Sequence, residues 1–416
     1  MARVIATLLA FAALVGAAPA AAYDVADLRT TLAREMRAAS PSSGAYVRDL
    51  DSGTELFAVR AATARLPASV EKLYTTATAL LRMGPAATLD TRAVSDAEID
   101  AQGVLQGDLV LVGGGDPFFG DESATKLAAA VKAAGVTRID GAVVGDESGF
   151  DRRRSGCCSG YDSDLGGVLS ALAYNRGFYA GALQLDAGRF AAVRFADLLD
   201  AAGVRSTGKP HAGIAPASAG AIATLASMPV RELIRFINVP SNNFAAEMLL
   251  KGLGERFRDS GTTRSGAAVV RDTMAGVGAR ARVSDGSGLS RSDRTSPRDV
   301  VALLDRMDDA DVGTVFRGSL AIAGRTGTVK SRMRGTPAAE RCRVKTGTLR
   351  DVSALAGYCR TAGGRDIAFA LMFNRARTYV EKAREDRITA AIARLDGAPA
   401  PAAGTTPAAS GGAGAP

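Results

Sequence analysis

Strand-forming segments lie at both ends of the chain, and their distribution constrains the fold more than any other feature. Two segments near the N-terminus surround a turn at residues 51–53, and three more follow one another near the C-terminus with short, turn-rich connections. The five predicted strands are residues 45–50, 54–59, 341–348, 353–360 and 366–373. Because short connections join antiparallel neighbours, the pattern predicts one antiparallel sheet built from both ends of the chain.

Helical segments flank these strands. Apolar residues recur at helical spacing on one side of residues 25–39, which predicts an amphipathic helix. A second helix is expected from Ser69 to about residue 83, and a third over residues 378–395. The predicted fold class is therefore α+β, with a five-stranded antiparallel sheet flanked by helices and a β-rich inserted accessory region.

A sheet built from both ends must accept the middle of the chain as an insertion. The sequence predicts a discontinuous domain of residues 23–84 and 225–396, with residues 85–224 forming one or two β-rich, glycine-rich accessory domains. A length of 416 residues agrees with two or three domains of roughly 100–200 residues each. Residues 397–416 contain only small residues and proline without any charge, which predicts a disordered tail.

The N-terminus has the pattern of a secretory signal peptide. A basic residue, Arg3, precedes the apolar run of residues 4–18, and small residues then precede Tyr23. The alternative is a membrane anchor, which needs roughly 18 or more apolar residues. We therefore predict a signal peptide over residues 1–22, no transmembrane segment after its removal, and a protein secreted into the periplasm or cell-wall space of a bacterium.

The charge balance indicates the kind of partner to expect. The net charge is +8 and the isoelectric point is about 9.5, which outside a cell favours anionic polymers of the wall or the membrane surface. Nucleic acid is the competing partner for a basic chain. The signal peptide and the lack of a basic run interleaved with aromatic residues argue against nucleic acid.

Histidine is too scarce for several common kinds of active site. The chain has one histidine, His211, in a loop-like stretch rich in glycine and proline, so we expect a surface residue rather than a catalytic base. The four cysteines show no C-x₂-C spacing, and no metal site or cofactor is therefore expected. If the chain is a hydrolase, its base is not a histidine.

The cysteines fit an oxidising compartment. If Thr348 pairs with Ser353 across a hairpin, the same register puts Cys342 opposite Cys359, at a separation compatible with a cross-strand disulfide. The alternative is two small buried thiols. Residues 152–158 hold three arginines followed by two adjacent cysteines, either a basic loop closed by a vicinal disulfide or a solvated charge cluster.

Three short motifs occur in an informative order. Each is common by itself, but together they place an S-x-x-K at a helix start, an S-x-N at the start of another helix, and a K-T-G on a strand. The residues are Ser69 and Lys72, Ser241 and Asn243, and Lys345, Thr346 and Gly347. This trio is the signature of penicillin-binding proteins and serine β-lactamases.

The spacing of the first motif has a chemical reason. Residues three apart share one helical face, so Ser69 and Lys72 can form a hydrogen bond. A serine hydroxyl becomes a good nucleophile only when a nearby base takes its proton. Burial and a nearby positive charge such as Lys345 would lower the pKa of Lys72 and let it act as that base.

Longer segments extend the resemblance over residues 45–375. The sequence resembles the D-alanyl-D-alanine carboxypeptidase/endopeptidase group of low-molecular-mass penicillin-binding proteins, which carry a large insertion after the S-x-x-K helix. The matching segments are GVLQGDLVLVGGGDP at residues 103–117, SNNFAAEML at 241–249, DGSGLSR at 285–291 and KTGTL at 345–349.

The resemblance implies a reaction and a role for each motif residue. Ser69 would attack the D-alanyl-D-alanine bond of peptidoglycan stem peptides and form an acyl-enzyme, with Lys72 as its base, and β-lactam antibiotics would acylate the same residue. Ser241 and Asn243 would relay a proton and hold the substrate amide. Lys345 would supply positive charge near the substrate carboxylate, with the hydroxyls of Thr346 and Thr348 as partners. Gly347 would let the strand approach the substrate, and the backbone N–H groups of Ser69 and Thr348 would form the oxyanion hole.

Several alternatives remain at this point. A β-lactamase or esterase on the same fold would use the same trio, and a non-catalytic cell-wall-binding protein could retain the fold. Residues 325–327 imitate K-T-G, but they lack a following strand and are interpreted as a structural turn. Glu247 and Asp285 could imitate a glycosidase pair, although their setting favours packing or holding a loop.

Overall fold

The computed structural model describes residues 22–156 and 163–396. The predicted signal peptide up to residue 21, the adjacent pair Cys157 and Cys158, and the predicted tail lie outside the described residues. Within the described part, no helix is long and apolar enough to cross a membrane.

The described part of the chain contains ten α-helices. Two of them lie in the middle of the chain, and the other eight lie in the segments before and after it. Predicted helices begin and end close to their expected positions. The helices are α1 (Val25–Arg37), α2 (Lys72–Met83), α3 (Asp121–Ala133), α4 (Ala187–Ala201), α5 (Val230–Asn238), α6 (Asn243–Arg258), α7 (Thr263–Gly276), α8 (Pro297–Asp308), α9 (Gly313–Gly318) and α10 (Thr378–Arg394).

The strands are longest near the C-terminus and short in the middle of the chain. They are β1 (Gly44–Asp49), β2 (Glu55–Val59), β3 (Thr91–Ser95), β4 (Val104–Leu105), β5 (Leu109–Val112), β6 (Arg138–Ile139), β7 (Val143–Asp146), β8 (Phe178–Tyr179), β9 (Ala182–Leu183), β10 (Arg205–Ser206), β11 (His211–Ala212), β12 (Gly220–Leu225), β13 (Ala281–Arg282), β14 (Arg294–Thr295), β15 (Ala321–Ile322), β16 (Cys342–Leu349), β17 (Val352–Arg360) and β18 (Asp366–Asn374).

The main sheet joins both ends of the chain, as the strand pattern predicts. Its order is β15-β16-β17-β18-β1-β2, and every neighbouring pair is antiparallel. The prediction of five strands is one short, because the edge strand β15 has only two residues, too few to show an alternating pattern. The α+β class with a sheet flanked by helices is confirmed.

The register of the central hairpin is also the predicted one. Thr348 pairs with Ser353, and Cys342 lies directly opposite Cys359. The two cysteines form a disulfide, so the alternative of two free thiols is not what the structure has. Only two residues, 350 and 351, connect the paired ends of β16 and β17.

Side chains of the main sheet alternate between two hydrophobic cores. Leu355 and Phe369 pack with apolar residues of α1 and α10 on one face. Ala354 and Ala356 face the other way, where they pack with α2, α5, α6, α7 and α8. Because side chains of a strand alternate with a period of two, one sheet separates these two layers of helices.

The middle of the chain forms sheets of its own. A five-stranded mixed sheet has the order β11-β7-β5-β3-β12, and β10, β6 and β4 form a small parallel sheet. The buried residues that pack these strands against α3 and α4 all lie between Ala93 and Ala223. This core is therefore made entirely of residues inside the predicted insertion.

Candidate active site

Ser69 lies in a single turn of 3-10 helix, Ala68–Glu71, that continues directly into α2. The predicted hydrogen bond is present: the Nζ atom of Lys72 donates to the Oγ atom of Ser69 at 3.0 Å. Ala68 has a φ of +48°, a left-handed conformation that is uncommon for a residue with a side chain. The chain therefore turns sharply immediately before Ser69.

Lys72 is completely buried and held by three acceptors. Besides Ser69, it donates to the Oδ1 atom of Asn243 at 2.6 Å and to the backbone carbonyl of Ser287 at 2.5 Å. Burial lowers the pKa of Lys72 to about 8, against the opposing charges of nearby carboxyl groups, of which Asp285 acts most strongly. A lysine with this pKa can accept a proton near neutral pH.

Lys345 is a second buried lysine that reaches the same site from β16. Its Nζ atom donates to the Oγ atom of Ser241 and to the carbonyl of Thr346, both at 2.8 Å. Burial, followed by repulsion from the charge of Lys72, lowers the pKa of Lys345 well below the ordinary lysine value. That repulsion reflects the closeness of the two ammonium groups, so both hydrogen-bonded clusters belong to one site.

The S-x-N motif forms the start of α6. Ser241 has a φ of +64°, and Asn242 caps the helix by accepting a hydrogen bond from the N–H of Ala245. The amide of Asn243 is fixed at both ends, because its Nδ2 atom donates to the carbonyl of Asp164 at 2.7 Å while its Oδ1 atom accepts from Lys72. The structure thus brings together all five residues that sequence analysis proposed as catalytic.

The glycine of K-T-G lets β16 pass close to Ser69. A Cβ atom at Gly347 would lie 2.6 Å from the carbonyl oxygen of Pro67 and 3.2 Å from the backbone nitrogen of Ser69. Such contacts leave no room for a side chain, so glycine is the residue that permits this approach. Thr348, the next residue of the strand, is exposed.

Residues 325–327 form a turn, in agreement with their interpretation as structural. The hydroxyl of Thr326 accepts a hydrogen bond of 2.8 Å from the backbone N–H of Ile322. Sequence analysis did not identify the neighbouring Thr328, whose hydroxyl accepts a 2.8 Å hydrogen bond from the hydroxyl of Thr346. No sequence signal indicates this contact, because it joins the hydroxyl of a short 3-10 turn, residues 327–329, to a hydroxyl on β16 that is distant in the chain.

Glu247 and Asp285 hold the loop of residues 284–291 in place. Glu247 accepts hydrogen bonds of 3.0 and 2.8 Å from consecutive backbone N–H groups of the loop, and Asp285 accepts two of 2.7 Å further along it. These bonds fix the carbonyl of Ser287 where it meets Lys72. The predicted loop-holding role of the two carboxyl groups agrees with this geometry.

Two further carboxyl groups near Lys72 were not considered in the sequence analysis. Glu71 is fully buried, and neither of its carboxyl oxygens has a hydrogen-bond partner in the described part of the chain. Burial, with the charges of Asp285 and Glu247, raises the pKa of Glu71 well above its ordinary value. Burial and the charge of Glu71 raise the pKa of Asp293 to about 11. Asp293 is therefore uncharged at neutral pH, and the raised pKa of Glu71 disfavours its charged form, which limits the negative charge around Lys72.

The single histidine of the chain is not one of the residues of this site. His211 is exposed on the short edge strand β11, and its Nδ1 atom lies 3.2 Å from the carbonyl of Lys209. No group of three or more potential metal ligands occurs among residues 22–156 and 163–396.

A buried lysine beside a serine at a helix start, with a second lysine on the edge of an antiparallel sheet, defines a serine peptidase of the penicillin-binding kind. The sequence profile of one protein family matches residues 25–168 and 175–395 of the chain, which makes the assignment more specific. The chain belongs to the D-Ala-D-Ala carboxypeptidase 3 (S13) family. It is thus a serine-type DD-carboxypeptidase, as the resemblance predicts.

Curated relatives agree with this assignment over most of their length. A D-alanyl-D-alanine carboxypeptidase of an Actinomadura species is 29% identical over 483 residues, covering 93% of this chain and 89% of the relative. Carboxypeptidase DacB of Mycolicibacterium smegmatis is 28% identical over 392 residues, covering 84% of this chain and 80% of the relative.

A solved structure shows the same fold. Penicillin binding protein 4 (dacB) of Haemophilus influenzae superposes with a TM-score of 0.76 at 20% identity, covering 88% of this chain and 98% of that structure. The same protein complexed with a β-lactam superposes with a TM-score of 0.68, again at 20% identity, covering 88% and 97%. At this level of identity the comparison supports the fold alone.

Proposed function

We propose that the chain hydrolyses the D-alanyl-D-alanine bond of peptidoglycan stem peptides through an acyl-enzyme on Ser69. D-alanyl-diaminopimelate cross-links are a further candidate substrate. The observation that carries the assignment of residues is the hydrogen bond of 3.0 Å between Lys72 and Ser69, made by a lysine whose pKa is lowered to about 8. Membership of the carboxypeptidase family supports the reaction class.

Acylation would begin with Lys72 in its neutral form. Lys72 accepts the proton of the Ser69 hydroxyl while the oxygen attacks the carbonyl carbon of the penultimate D-alanine. The tetrahedral intermediate then collapses, the C–N bond breaks, and the leaving D-alanine nitrogen takes a proton. The hydroxyl of Ser241, which accepts a hydrogen bond from Lys345, is assigned to that relay, and Asn243, which accepts one from Lys72, is assigned to support it and to hold the substrate amide.

Water completes the cycle. It attacks the ester carbonyl of the acyl-enzyme and passes its proton towards Lys72, and the hydroxyl of Ser69 is restored. The backbone N–H groups of Ser69 and Thr348 are assigned to the oxyanion hole. The close passage of Gly347 past the Ser69 nitrogen supports this assignment, and removing one such donor typically costs about 3–4 kcal/mol of transition-state stabilisation.

Lys345 is assigned to the terminal carboxylate of the substrate, with the hydroxyls of Thr346 and Thr348 as partners. Its buried ammonium has no carboxylate partner in the described part of the chain, and its pKa is lowered by burial. The negative charge of a substrate carboxylate in contact with Lys345 would favour the charged form of the lysine, and the two opposite charges would then attract each other. The specificity for a C-terminal carboxylate would follow from this pairing.

The test uses the nucleophile and a matched control. Ser69→Ala should abolish both D-alanine release from stem peptides and labelling by fluorescent penicillin, because the proposed acyl-enzyme forms on the hydroxyl that this variant lacks. Ser218→Ala alters an exposed serine on the insertion and should leave both signals unchanged. Labelling that persists in Ser69→Ala would refute the assignment of the nucleophile.

The same assay separates the alternatives. Rapid turnover of penicillin, in place of a long-lived covalent adduct on Ser69, would favour a β-lactamase or esterase. A wall-linked function that survives unchanged in Ser69→Ala would favour a non-catalytic cell-wall-binding protein. A panel of stem peptides and cross-linked muropeptides would then decide between carboxypeptidase and endopeptidase cleavage.

The proposal includes export and a division into domains. Removal of residues 1–22 would release a protein that begins at Tyr23 in the periplasm or cell-wall space, and N-terminal sequencing of the secreted form tests this site. Residues 23–84 and 225–396 are proposed as the peptidase domain and residues 85–224 as the insertion. The separate core between Ala93 and Ala223 supports this division. Strand β12 ends at Leu225, one residue beyond the proposed end of the insertion.

A further inference from the structure

A cavity of about 550 Å³ lies beside the segment that leads to the nucleophile. Five separate parts of the chain converge on it: the loop after α1, the segment between β2 and Ser69, the residues at and before the start of β14, the turn between β16 and β17, and the end of β18. None of the proposed catalytic residues lines it. The lining residues are Pro41, Ser42, Arg60, Thr63, Ala64, Arg65, Leu66, Arg291, Arg294, Asp351, Asn374 and Arg375.

The lining carries a large excess of positive charge. Five arginines and one aspartate face the cavity, a net of four positive charges. The aspartate, Asp351, is occupied by Arg291, whose two guanidinium nitrogens donate to its two oxygens at 2.9 and 3.2 Å. The other four arginines of the cavity form no ion pair with any carboxylate in the described part of the chain.

Arg65 is a buried cation among these four. Its guanidinium donates only to backbone carbonyls, those of Ser42 and Arg60 at 2.8 Å among them. Burial, followed by repulsion from Arg60, lowers the pKa of Arg65 to about 10. A buried charge without a counterion is costly, so an anion in the cavity would relieve both the burial and the repulsion.

Arg60 and Arg375 are exposed at this cavity and have unusual backbones. Their φ values are +44° and +52°, in the left-handed region that residues with side chains rarely adopt. Such conformations persist where surrounding structure holds them, and they cluster at binding sites. Two of the ten described residues other than glycine that have a positive φ therefore line this cavity, an observation that is independent of its charge.

We propose that this cavity is a binding site for the phosphate groups of a polyanionic chain, such as a phosphodiester polymer of the cell wall. Guanidinium groups bind phosphate through paired N–H donors, and several that converge in one concavity match an anion with multiple oxygens. A repeating phosphodiester would supply charge both to the cavity and to the surface of a protein with a net charge of +8. A flat membrane surface fits the concave lining less well.

Binding there would act as a tether that is separate from catalysis. The cavity would hold the protein on an anionic polymer while the peptide site, whose proposed catalytic residues do not line the cavity, remains free for substrate. The inference therefore extends the proposed function without resting on it. A protein that proved inactive as a peptidase could still bind the polymer through these arginines.

The experiment measures binding of a fluorescent poly(glycerol phosphate) chain to the purified protein by anisotropy at low and physiological salt. The double variant Arg60→Gln/Arg375→Gln should weaken binding at least about tenfold, because two of the uncompensated charges are lost. Arg256→Gln/Arg264→Gln removes the same charge from exposed positions on α6 and α7 and should weaken it less than about twofold. Labelling of Ser69 by fluorescent penicillin should be equal in all three proteins.

Two outcomes would overturn the proposal. Equal losses in the two double variants would mean that only net charge matters, and unchanged binding in the first would exclude the cavity. Two further probes test the identity of the ligand. If poly-glutamate of the same length binds as tightly as the polymer, phosphate recognition is refuted. If Arg60→Gln/Arg375→Gln loses binding to anionic phospholipid vesicles but still binds the polymer, the cavity is reassigned to lipid.

Discussion

At the scale of single residues, the site depends on a lysine whose pKa burial lowers, so that part of it is neutral near pH 7 and can accept a proton. With a pKa of about 8, roughly a tenth of Lys72 is neutral at pH 7, against less than about a thousandth for a solvated lysine. The nearby carboxyl groups oppose this shift, so their protonation is part of the same balance. The raised pKa values of Glu71 and Asp293 disfavour their negative charges, which helps Lys72 to lose its proton.

The first prediction follows from the lowered pKa of Lys72. Because the neutral amine is the reactive form, the second-order rate of Ser69 acylation by a β-lactam should rise about tenfold per pH unit below pH 8 and level off above it. Stopped-flow measurement of acylation between pH 6 and about pH 9.5 checks this. A rate that continues to rise towards the ordinary lysine pKa would show that Lys72 is not the base.

Glu71 allows a prediction about stability. Its pKa is raised on folding, so its contribution to stability is present below the unfolded pKa of about 4.5 and is lost as the pH rises towards the folded pKa. Glu71→Gln cannot ionise, so the loss of stability between pH 5.5 and 8 should be smaller in the variant than in the parent protein. Urea unfolding of both proteins at the two pH values gives the loss of stability in each protein, and the two losses are then compared. An identical loss in the two proteins would mean that Glu71 is charged in the folded state.

At the scale of elements, the fit between β16 and the nucleophile turn leaves no space at Gly347. In Gly347→Ala, the added Cβ would meet the Pro67 carbonyl at 2.6 Å, so the strand or the turn must shift. A displacement of this kind should slow penicillin acylation about a hundredfold. Gly318→Ala adds a methyl group where no atom lies within 4 Å, and it should leave the rate unchanged. Equal rates in both variants would contradict the close-approach argument.

The hairpin of β16 and β17 also carries the disulfide. Cys342 and Cys359 are completely buried, and they close a loop with a sequence separation of 17. Cys342→Ala/Cys359→Ala should lower the free energy of unfolding by about 2–3 kcal/mol, less if the tight hairpin already restricts the unfolded chain. Urea unfolding measures the loss, and the mass of peptides under non-reducing conditions confirms the bond. A double variant as stable as the parent would assign the pair a packing role only.

How much the sequence could predict differs between elements and residues. The long strands and their register follow from alternation and from one tight turn, so the sheet and the cysteine pairing were predictable. The edge strand β15 was not, because two residues carry no period. At the site, the motif side chains were predictable from spacing, whereas the carbonyl of Ser287 and the hydroxyl of Thr328 depend on how distant loops pack. The burial of Glu71 likewise depends on three other segments folding around it.

At the scale of the whole molecule, α6 connects the catalytic machinery to the middle of the chain. Phe244 and Met248 of α6 pack with Phe150, Leu165 and Leu169 in one buried cluster. One helix start therefore carries Asn243 in the site, while the same helix anchors the inserted region. Movement of the insertion relative to the sheet would be transmitted to the amide that holds Lys72.

The ion pair between Lys251 and Asp151 tests this connection. The Lys251 side chain on α6 is completely buried, whereas the Asp151 side chain, which comes from the insertion, is 36% exposed. In Asp151→Asn the ammonium keeps one backbone carbonyl, that of Arg153 at 3.1 Å, but loses its counter-charge. Since a buried charge left unpaired is costly, unfolding should require about 2 kcal/mol less, reduced from the value for a fully buried pair because Asp151 is partly solvated.

A second ion pair gives the control, because its partners are both exposed. Arg258 and Asp272 join α6 to α7 with side chains that are 44% and 61% exposed, so Asp272→Asn should cost less than about 0.5 kcal/mol. Urea unfolding at pH 7 compares the two variants, and penicillin acylation of each folded protein reports on Asn243. If α6 transmits the disturbance, Asp151→Asn should also slow acylation while Asp272→Asn does not. Equal stabilities would show that Lys251 is adequately compensated by the backbone, and the insertion would then be held by its apolar contacts with Phe244 and Met248.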